Sequence, residues 1–374
     1  MREMKDSGVE WIGEIPKNWK ICRLKDYAHI CNGRDYSEVL DENGDYPVIG
    51  TGGQFAKACE PLYQKESVLL GRKGTIDKPL FVDYPFWTVD TMYYTEIKEN
   101  VSAKYFYYLC TQIEFDFYQY GSAVPSMTQR DLYNVNFPYP TLDEQRRIAN
   151  YLDRKCSQID TIIAQQQEVI EKLKAYKLSV ITEAVTKGLN PDVPMKDSGV
   201  EGIGEIPEHW DFRRIKNCCL IVDCKNRTPD PDPDGEYIVV RTTCIRDGSF
   251  SYEGSYHTNA ENFKEWTAKG QPQHGDIFFT REAPMGEACL VPDTDNLCMG
   301  QRVMFFRPLD GSDPRYILYS IYGPLAREYI DSKNKGSTVG HLKLGQGASL
   351  PLFYSPPKEQ SEIADYLDKR CGAI

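Results

Sequence analysis

Several stretches of this chain hold residue types that do chemistry, and each lacks the spacing that the chemistry needs. PDPDPDGE (229–236) packs four carboxylates into eight residues, as a nuclease does. A nuclease would add a lysine in E-x-K spacing, but Glu236 runs into Tyr237 and Ile238, so the stretch reads as an acidic turn. The five histidines (29, 209, 257, 274 and 341) show no metal-ligand spacing among themselves or with cysteine. His209, beside Trp210, reads as structural. GRKGTI (71–76) sets two bases between glycines but lacks the lysine–serine pair of a P-loop. It is either a plain hairpin turn or a basic loop set against phosphates. The 12 cysteines contain no C-x-x-C pair and read as reduced thiols of a cytoplasmic protein.

The elements that would position these residues occur twice. MKDSGVEWIGEIPKNWKICRLKD (4–26) returns as MKDSGVEGIGEIPEHWDFRRIKN (195–217), with 15 of 23 positions identical. EQRRIANYLDRKCSQI (144–159) returns as EQSEIADYLDKRCGAI (359–374), with nine of 16 identical. A fainter echo places Gly121-Ser122 and Gly336-Ser337 at the same offset of 215. The order is opening segment, variable block, helix, then the same again. Such a repeat is too long for a solenoid unit. Alike at the ends and unlike in the middle, it predicts two related heads doing the same job on different targets.

At 374 residues the chain has room for two or three domains. The start is charged and lacks the apolar core of a signal peptide. No window approaches 18 apolar residues, which argues against a membrane span. A formal net charge of −11 argues mildly against a nucleic-acid partner.

Thr141-Leu142-Asp143-Glu144 fits a capping box at the start of a long helix. Behind it Leu152, Cys156, Ile159, Ile163, Ile170, Leu173 and Val180 form a heptad seam, and Gly188 with Pro191 supplies the stop. One apolar stripe needs a partner helix, and the copy beginning near Lys358 is the candidate, running antiparallel. The variable blocks read as mixed α/β with short strands. In the first, 46–50, 67–71 and 86–97 are predicted strands and 102–120 an aromatic-rich helix. In the second, 236–245, 276–282 and 302–308 are strands and 314–330 the matching helix.

With the repeated I-P-x-x-W (Ile15, Pro16, Trp19; Ile206, Pro207, Trp210), the E-Q-x-x-I-A-x-Y-L-D helix opening and the stop E-A-V-T-K-G-L (183–189), the chain resembles the specificity subunit of type I restriction–modification enzymes. The resemblance covers essentially all of the chain. It implies a mixed α+β (α/β) protein with two target-recognition domains, 1–142 and 191–357, each reading one half of a bipartite DNA site. The spacer helix spans 143–190, and 358–374 begins its second copy, joined to it as an antiparallel coiled coil with a pseudo-two-fold repeat. That second helix therefore reads as truncated, which leaves the seam partly uncovered and predicts self-association. The implied partners are double-stranded DNA, two methyltransferase subunits that dock on the helices, and restriction subunits, with no membrane. S-adenosylmethionine, ATP and Mg are expected on those partners, with no cofactor or catalytic residue in this chain. Consistent with that, no N/D-P-P-Y/F methyltransferase tetrapeptide occurs; Asn190-Pro191-Asp192-Val193 comes nearest, and it is a helix stop. The alternative is a coiled-coil scaffold without sequence-specific DNA binding.

Phosphate contacts need local cations, not a positive total. In the first block these are Arg34, Arg72 and Lys73; in the second, Lys225, Arg227, Arg241, Arg246, Arg281, Arg302, Lys333, Lys335 and Lys343. Base reading favours Arg on guanine and amides on adenine. Arg34 is the guanine candidate, and Gln54 and Gln129 are the adenine candidates. The acidic total predicts weak DNA binding by this chain alone.

Overall fold

The computed structural model describes residues 2–115, 125–309, 311–334 and 340–373. Gly121-Ser122, Gly336-Ser337 and Lys335 lie outside the described residues, as do 116–120 of the helix predicted over 102–120, which ends earlier, at Cys110. The chain forms two compact units, residues 1–165 and 166–374.

In the first unit the opening segment folds as a hairpin, β1 (Met4–Asp6) against β2 (Glu14–Pro16), followed by β3 (Lys20–Arg23), α1 (Leu24–Tyr27) and β4 (Ala28–Asn32). The variable block supplies β5 (Tyr46–Gly50), β6 (Gly53–Ala58), β7 (Ser67–Gly71), β8 (Leu80–Val82), β9 (Trp87–Thr88) and β10 (Met92–Ile97). Helices α2 (Ala103–Cys110) and α3 (Gln129–Asn134), strand β11 (Asn136–Tyr139) and the long helix α4 (Leu142–Lys187) follow.

The second unit repeats the series. It opens with β12 (Met195–Asp197) against β13 (Glu205–Pro207), then β14 (Asp211–Arg214) and β15 (Cys219–Val222). The block holds β16 (Tyr237–Val240), β17 (Ile245–Arg246), β18 (Ser249–Phe250), β19 (Tyr256–Thr258), α5 (Ala260–Trp266), β20 (Ile277–Thr280), β21 (Ala288–Leu290), β22 (Leu297–Met299) and β23 (Val303–Pro308). It ends with α6 (Pro314–Tyr322), α7 (Pro324–Asn334), α8 (Leu344–Gly347), β24 (Pro351–Tyr354) and α9 (Pro357–Gly372).

The blocks that look unlike in sequence share one topology. A four-stranded sheet runs β4-β10-β7-β8 in the first unit and β15-β23-β20-β21 in the second. A three-stranded sheet runs β6-β5-β9 and β19-β16-β22, each with its middle strand antiparallel to one neighbour and parallel to the other. Even a close approach is kept: a Cβ on Gly44 would lie 2.2 Å from the Ala58 carbonyl oxygen, and one on Gly235 2.1 Å from that of Thr258. These contacts are 14 positions apart in the first unit and 23 in the second, and the extra chain holds the β17–β18 hairpin. Helix α5 lengthens the next connection.

Three expected elements are divided. The run 236–245 ends β16 at Val240, makes a 3-10 turn over Thr242–Cys244 and enters β17 in another sheet. The run 86–97 is two strands in different sheets, because a turn at Val89–Met92 reverses between them. The helix expected over 314–330 breaks at Gly323. Pro324 has no N–H to continue it and instead starts α7. A Cβ on Gly323 would meet Val185 of α4 at 2.8 Å.

The repeated motifs are fasteners. Trp19 donates its indole N–H to Glu144 at 3.2 Å, and Trp210 donates to Glu359 at 3.0 Å. Arg2 also pairs with Glu144, and His209 lies 2.8 Å from Glu359. The next residue is fully buried in both copies. Gln145 accepts from Ser102 N–H (2.9 Å) and donates to Pro140 O (3.1 Å); Gln360 accepts from Asp313 N–H (3.0 Å) and donates to Ser355 O (2.7 Å). Ser102 and Asp313 are the N-caps of α2 and α6. Further along, Asp153 takes Lys104 (2.7 Å) and Tyr108 (2.9 Å), while Asp368 takes Arg315 and Tyr319, both at 2.8 Å. Each opening segment and each block helix is thus tied to the start of a long-helix motif.

Helix α4 has 46 residues, about 69 Å at helical rise. Gly188, at φ +72°, stops it, and Thr141 Oγ1 accepts from Glu144 N–H at its start. Its last turns pack against α9, where Val180, Ile181, Ala184 and Val185 are buried with Ile363, Ala364, Leu367 and Trp210. The two run antiparallel: Glu359 lies beside Gly188, and Arg370 donates to Tyr176 at 3.1 Å. Of the seam residues, Leu152 is half-buried and Val180 buried; Cys156, Ile159, Ile163, Ile170 and Leu173 are exposed. No helix among the described residues is long and apolar enough to cross a membrane.

Candidate nucleic-acid interface

Loops at the ends of the two sheets gather most of the first block's candidates. Arg34 leaves β4 directly after Gly33, where a Cβ would lie 2.0 Å from Val89 O. Only glycine fits there, and the backbone of Arg34 is pinned on both sides: its N–H donates to Thr88 O (2.9 Å) and its carbonyl accepts from the Trp87 indole (3.1 Å). Its side chain stays exposed. Arg72 and Lys73 leave β7 and both donate their N–H groups to Thr91 O. The Arg72 guanidinium also donates to Asp90 O (3.2 Å), 5.9 Å from the centre of the Tyr93 ring. Burial holds the Tyr93 hydroxyl above its ordinary pKa, keeping it a neutral donor to Met127 O at 3.2 Å. Lys73 bridges to Ser126 and is exposed, and Gly74 N–H donates to Pro125 O at 3.0 Å. Gln129, the first residue of α3, donates to Asn32 Oδ1 at 3.3 Å. The GRKG stretch carries its two bases out of β7 along Thr91 and Pro125, within reach of Arg34's loop through Thr88–Thr91. Gln54 stands apart. It lies on β6 and lines a separate cleft with Tyr46, Lys57 and Tyr84.

In the second unit the corresponding cations are mostly engaged. Arg281 is the counterpart of Arg72. Its N–H donates to Arg302 O as that of Arg72 does to Thr91 O, and its carbonyl accepts from Leu342 as that of Arg72 does from Met127. Unlike Arg72 it is buried: Nε donates to Leu342 O (2.9 Å) and Nη1 to both oxygens of Asp223 (2.9 and 3.2 Å). Its guanidinium is thus engaged within the unit by a carboxylate, where that of Arg72 meets the carbonyl of Asp90. Arg302 pairs with Glu282 at 2.8 Å, and Glu282 also pairs with His341. Lys225 and Arg227 share Glu265 at 2.5 and 2.6 Å. These two hold the Glu265 carboxyl below its usual pKa range. Arg241 is exposed and donates to Gly254 O at 3.4 Å; Lys343 is exposed at the start of α8. Arg246 donates only to the neighbouring Ile245 O, and Lys333 lies over the Tyr329 ring.

The acidic stretch 229–236 is a turn, closed by Gly235 N–H on Asp232 O at 3.0 Å. No cluster of His, Cys, Asp or Glu among the described residues could hold a metal ion. What sequence reading missed are the partners: Asn32 on Gln129, Asp223 on Arg281, Glu282 on Arg302, Glu265 and Trp266 on Lys225 and Arg227. No periodicity marks them. The Trp–Glu and buried Gln fasteners did carry a signal, since both recur in the two copies.

A family model for the Type I restriction modification DNA specificity domain matches the chain twice, over residues 16–172 and 207–371. The MjaVIII specificity subunit of Methanocaldococcus jannaschii is 25% identical over 216 residues, 54% of this chain and 49% of the relative, so the match spans about half of that protein's length. The MjaIX specificity subunit of the same organism is 26% identical over 380 residues, 92% of this chain and 85% of the relative. The EcoBI specificity subunit of Escherichia coli is 21% identical over 392 residues, 97% and 81%. Among solved structures, a chain from a study of complex assembly and conformational transition of the type I R-M system superposes with a TM-score of 0.68 at 15% identity, covering 96% of this chain and 91% of that one. The HsdS subunit from Thermoanaerobacter tengcongensis gives 0.50 at 16% identity, covering 95% and 89%. With two domain matches that together take in most of its length, on a fold shared with those structures, this chain belongs to the type I restriction–modification DNA specificity family.

Proposed function

We propose that this chain is the DNA sequence-recognition subunit of a type I restriction–modification enzyme, each unit reading one half of a bipartite site and directing adenine methylation or restriction by partner subunits. One observation carries the reading: the units repeat a single frame down to strand order and close contacts, while their loops differ in length and charge. A constant frame with divergent loops is what two readers of different half-sites require, since side chains on loops read base edges while the frame sets register. The chain supplies no reaction of its own in this reading. Two methyltransferase subunits bring S-adenosylmethionine, and restriction subunits bring ATP and Mg. The exposed seam of α4, Ile159 to Leu173, gives such partners an apolar strip to cover. Cytoplasmic DNA is the target.

Mapping N6-methyladenine in DNA from cells that carry this chain with its methyltransferase subunit tests the proposal. One split motif with a fixed gap is expected. Exchanging residues 218–355 for the block of a relative should change one half of that motif and leave the other. Changes in both halves, or methylation without a motif, would overturn it.

A further inference from the structure

Lys225 and Arg227 leave the first strand of the four-stranded sheet, β15, as Arg34 leaves β4 in the other unit. Their charges converge on one atom, Glu265 Oε1, at 2.5 and 2.6 Å. Both also lie over the ring of Trp266, at 4.8 and 4.7 Å from its centre, and that ring is buried with its N–H on Arg227 O at 3.1 Å. The aromatic base preassembles the two cations, and one carboxylate oxygen sits where they meet. Two basic side chains grip a phosphate oxygen in the same arrangement. The site opens to solvent, with the Arg227 side chain 66% and that of Glu265 41% exposed. Glu265 and Trp266 end helix α5, and the first unit has no helix at that point, between β6 and β7.

Resting on the DNA-reading proposal, we propose that Glu265 is a built-in phosphate mimic: it occupies the backbone-binding cations of the second unit, and a DNA phosphate must displace it. The grip of the second unit is thereby conditional. Non-specific duplex meets a pair whose charge Glu265 has halved, whereas a correctly docked half-site brings the phosphate close enough to take Glu265's place. In the first unit the corresponding Arg34 side chain is exposed, so the two units do not contribute equally to sequence-independent binding.

The test is anisotropy of a labelled short duplex of random sequence, titrated with the full chain across a salt series from low ionic strength. Glu265→Gln keeps the size and removes the charge. It should tighten binding about three- to tenfold at low salt and steepen the log–log salt slope by about one to two, as one or two more phosphates are neutralised. Adding Arg227→Gln to that variant should abolish the gain, and Glu265→Asp should bind as the native chain does. In the native chain, Arg227→Gln should change affinity less than about twofold, because Glu265 already holds that cation; this readout does not depend on Glu265→Gln folding. A loss above about fivefold there would show that Arg227 grips duplex regardless of Glu265 and would overturn the mimic. Native binding with no gain for a folded Glu265→Gln overturns it too and leaves the DNA reading standing. No duplex binding by either chain at low salt overturns both.

Discussion

Replacing Gln145 by Met removes its two shorter hydrogen bonds, and a third of 3.4 Å to the carbonyl of exposed Asn100, at nearly constant volume. The side chain is fully buried, so no water takes over its partners. Ser102 N–H loses its acceptor at 2.9 Å and Pro140 O its donor at 3.1 Å. Each buried group left unpaired costs about 1–3 kcal/mol, and a two-bond loss partly offset by methionine packing comes to about 2–4 kcal/mol. For a unit of this size that lowers the melting temperature by roughly 5–15 °C. The damage should be local. Ser102 caps α2, so amide exchange in α2 should accelerate while α6 keeps its protection. Gln360→Met should give the mirror result, since Gln360 holds Asp313, the cap of α6. Hydrogen exchange with mass spectrometry on the full chain reads both helices at once. A melting shift under about 1 °C, or equal loss in α2 and α6 from either variant, would refute the fastener reasoning.

Other expectations follow from the same contacts. Arg72→Ala should weaken duplex binding evenly across sequences and reduce the salt slope by about one, whereas Arg281→Ala should unfold the second unit by about 3 kcal/mol or more because Asp223 is left without its partner; anisotropy and thermal melts separate the two. Asp153 is pushed up by burial but held below the ordinary carboxylate range by Lys104 and Tyr108. Its contribution is therefore full above about pH 4 and lost as pH falls through the lowered value, so Asp153→Asn should destabilise at neutral pH, with a cost that shrinks steadily as pH falls below about 4 in denaturant titrations. Seven residues inserted after Gln165 should lengthen the solvent-exposed middle of α4 by about 10 Å, near its original phase, and widen the gap of the methylated motif without altering its halves. An insertion near Gly188 would instead displace Trp210 and Glu359. Sedimentation of the isolated chain should show self-association through Ile159, Ile163 and Ile170, relieved by Ile163→Glu; a monomer at all concentrations would show the strip to be inert.

Much of the frame was legible because it rests on local rules. Thr141 and Glu144 cap α4 where a capping box was expected, and Gly188 stops it with positive φ. What escaped depends on distant partners. Residues 86–97 are mostly β-prone, with Asp90 the local mark of a turn, and nothing local shows that Thr88 and Met92 enter different sheets. The break at Gly323 is the exception, marked locally by Pro324, and Val185 packs where a Cβ on Gly323 would stand. Among the site residues, Arg72 and Arg281 follow matching strands and look interchangeable in sequence. They differ because Asp223, 58 residues away in the chain, captures one of them. Gln54 lies on β6, where it lines another cleft.

The fasteners also bear on inheritance. Trp19–Glu144 and Trp210–Glu359 lie in the two stretches where the copies are most alike, and these stretches flank the variable blocks. A crossover within either stretch delivers a foreign block with its anchors already matched, because tryptophan, glutamate and buried glutamine arrive in the same places. The joint that secures a block is thus also the place where the gene can be cut and rejoined without harm to the protein. The two copies differ most between the joints, and a new block would meet a frame of the same pattern.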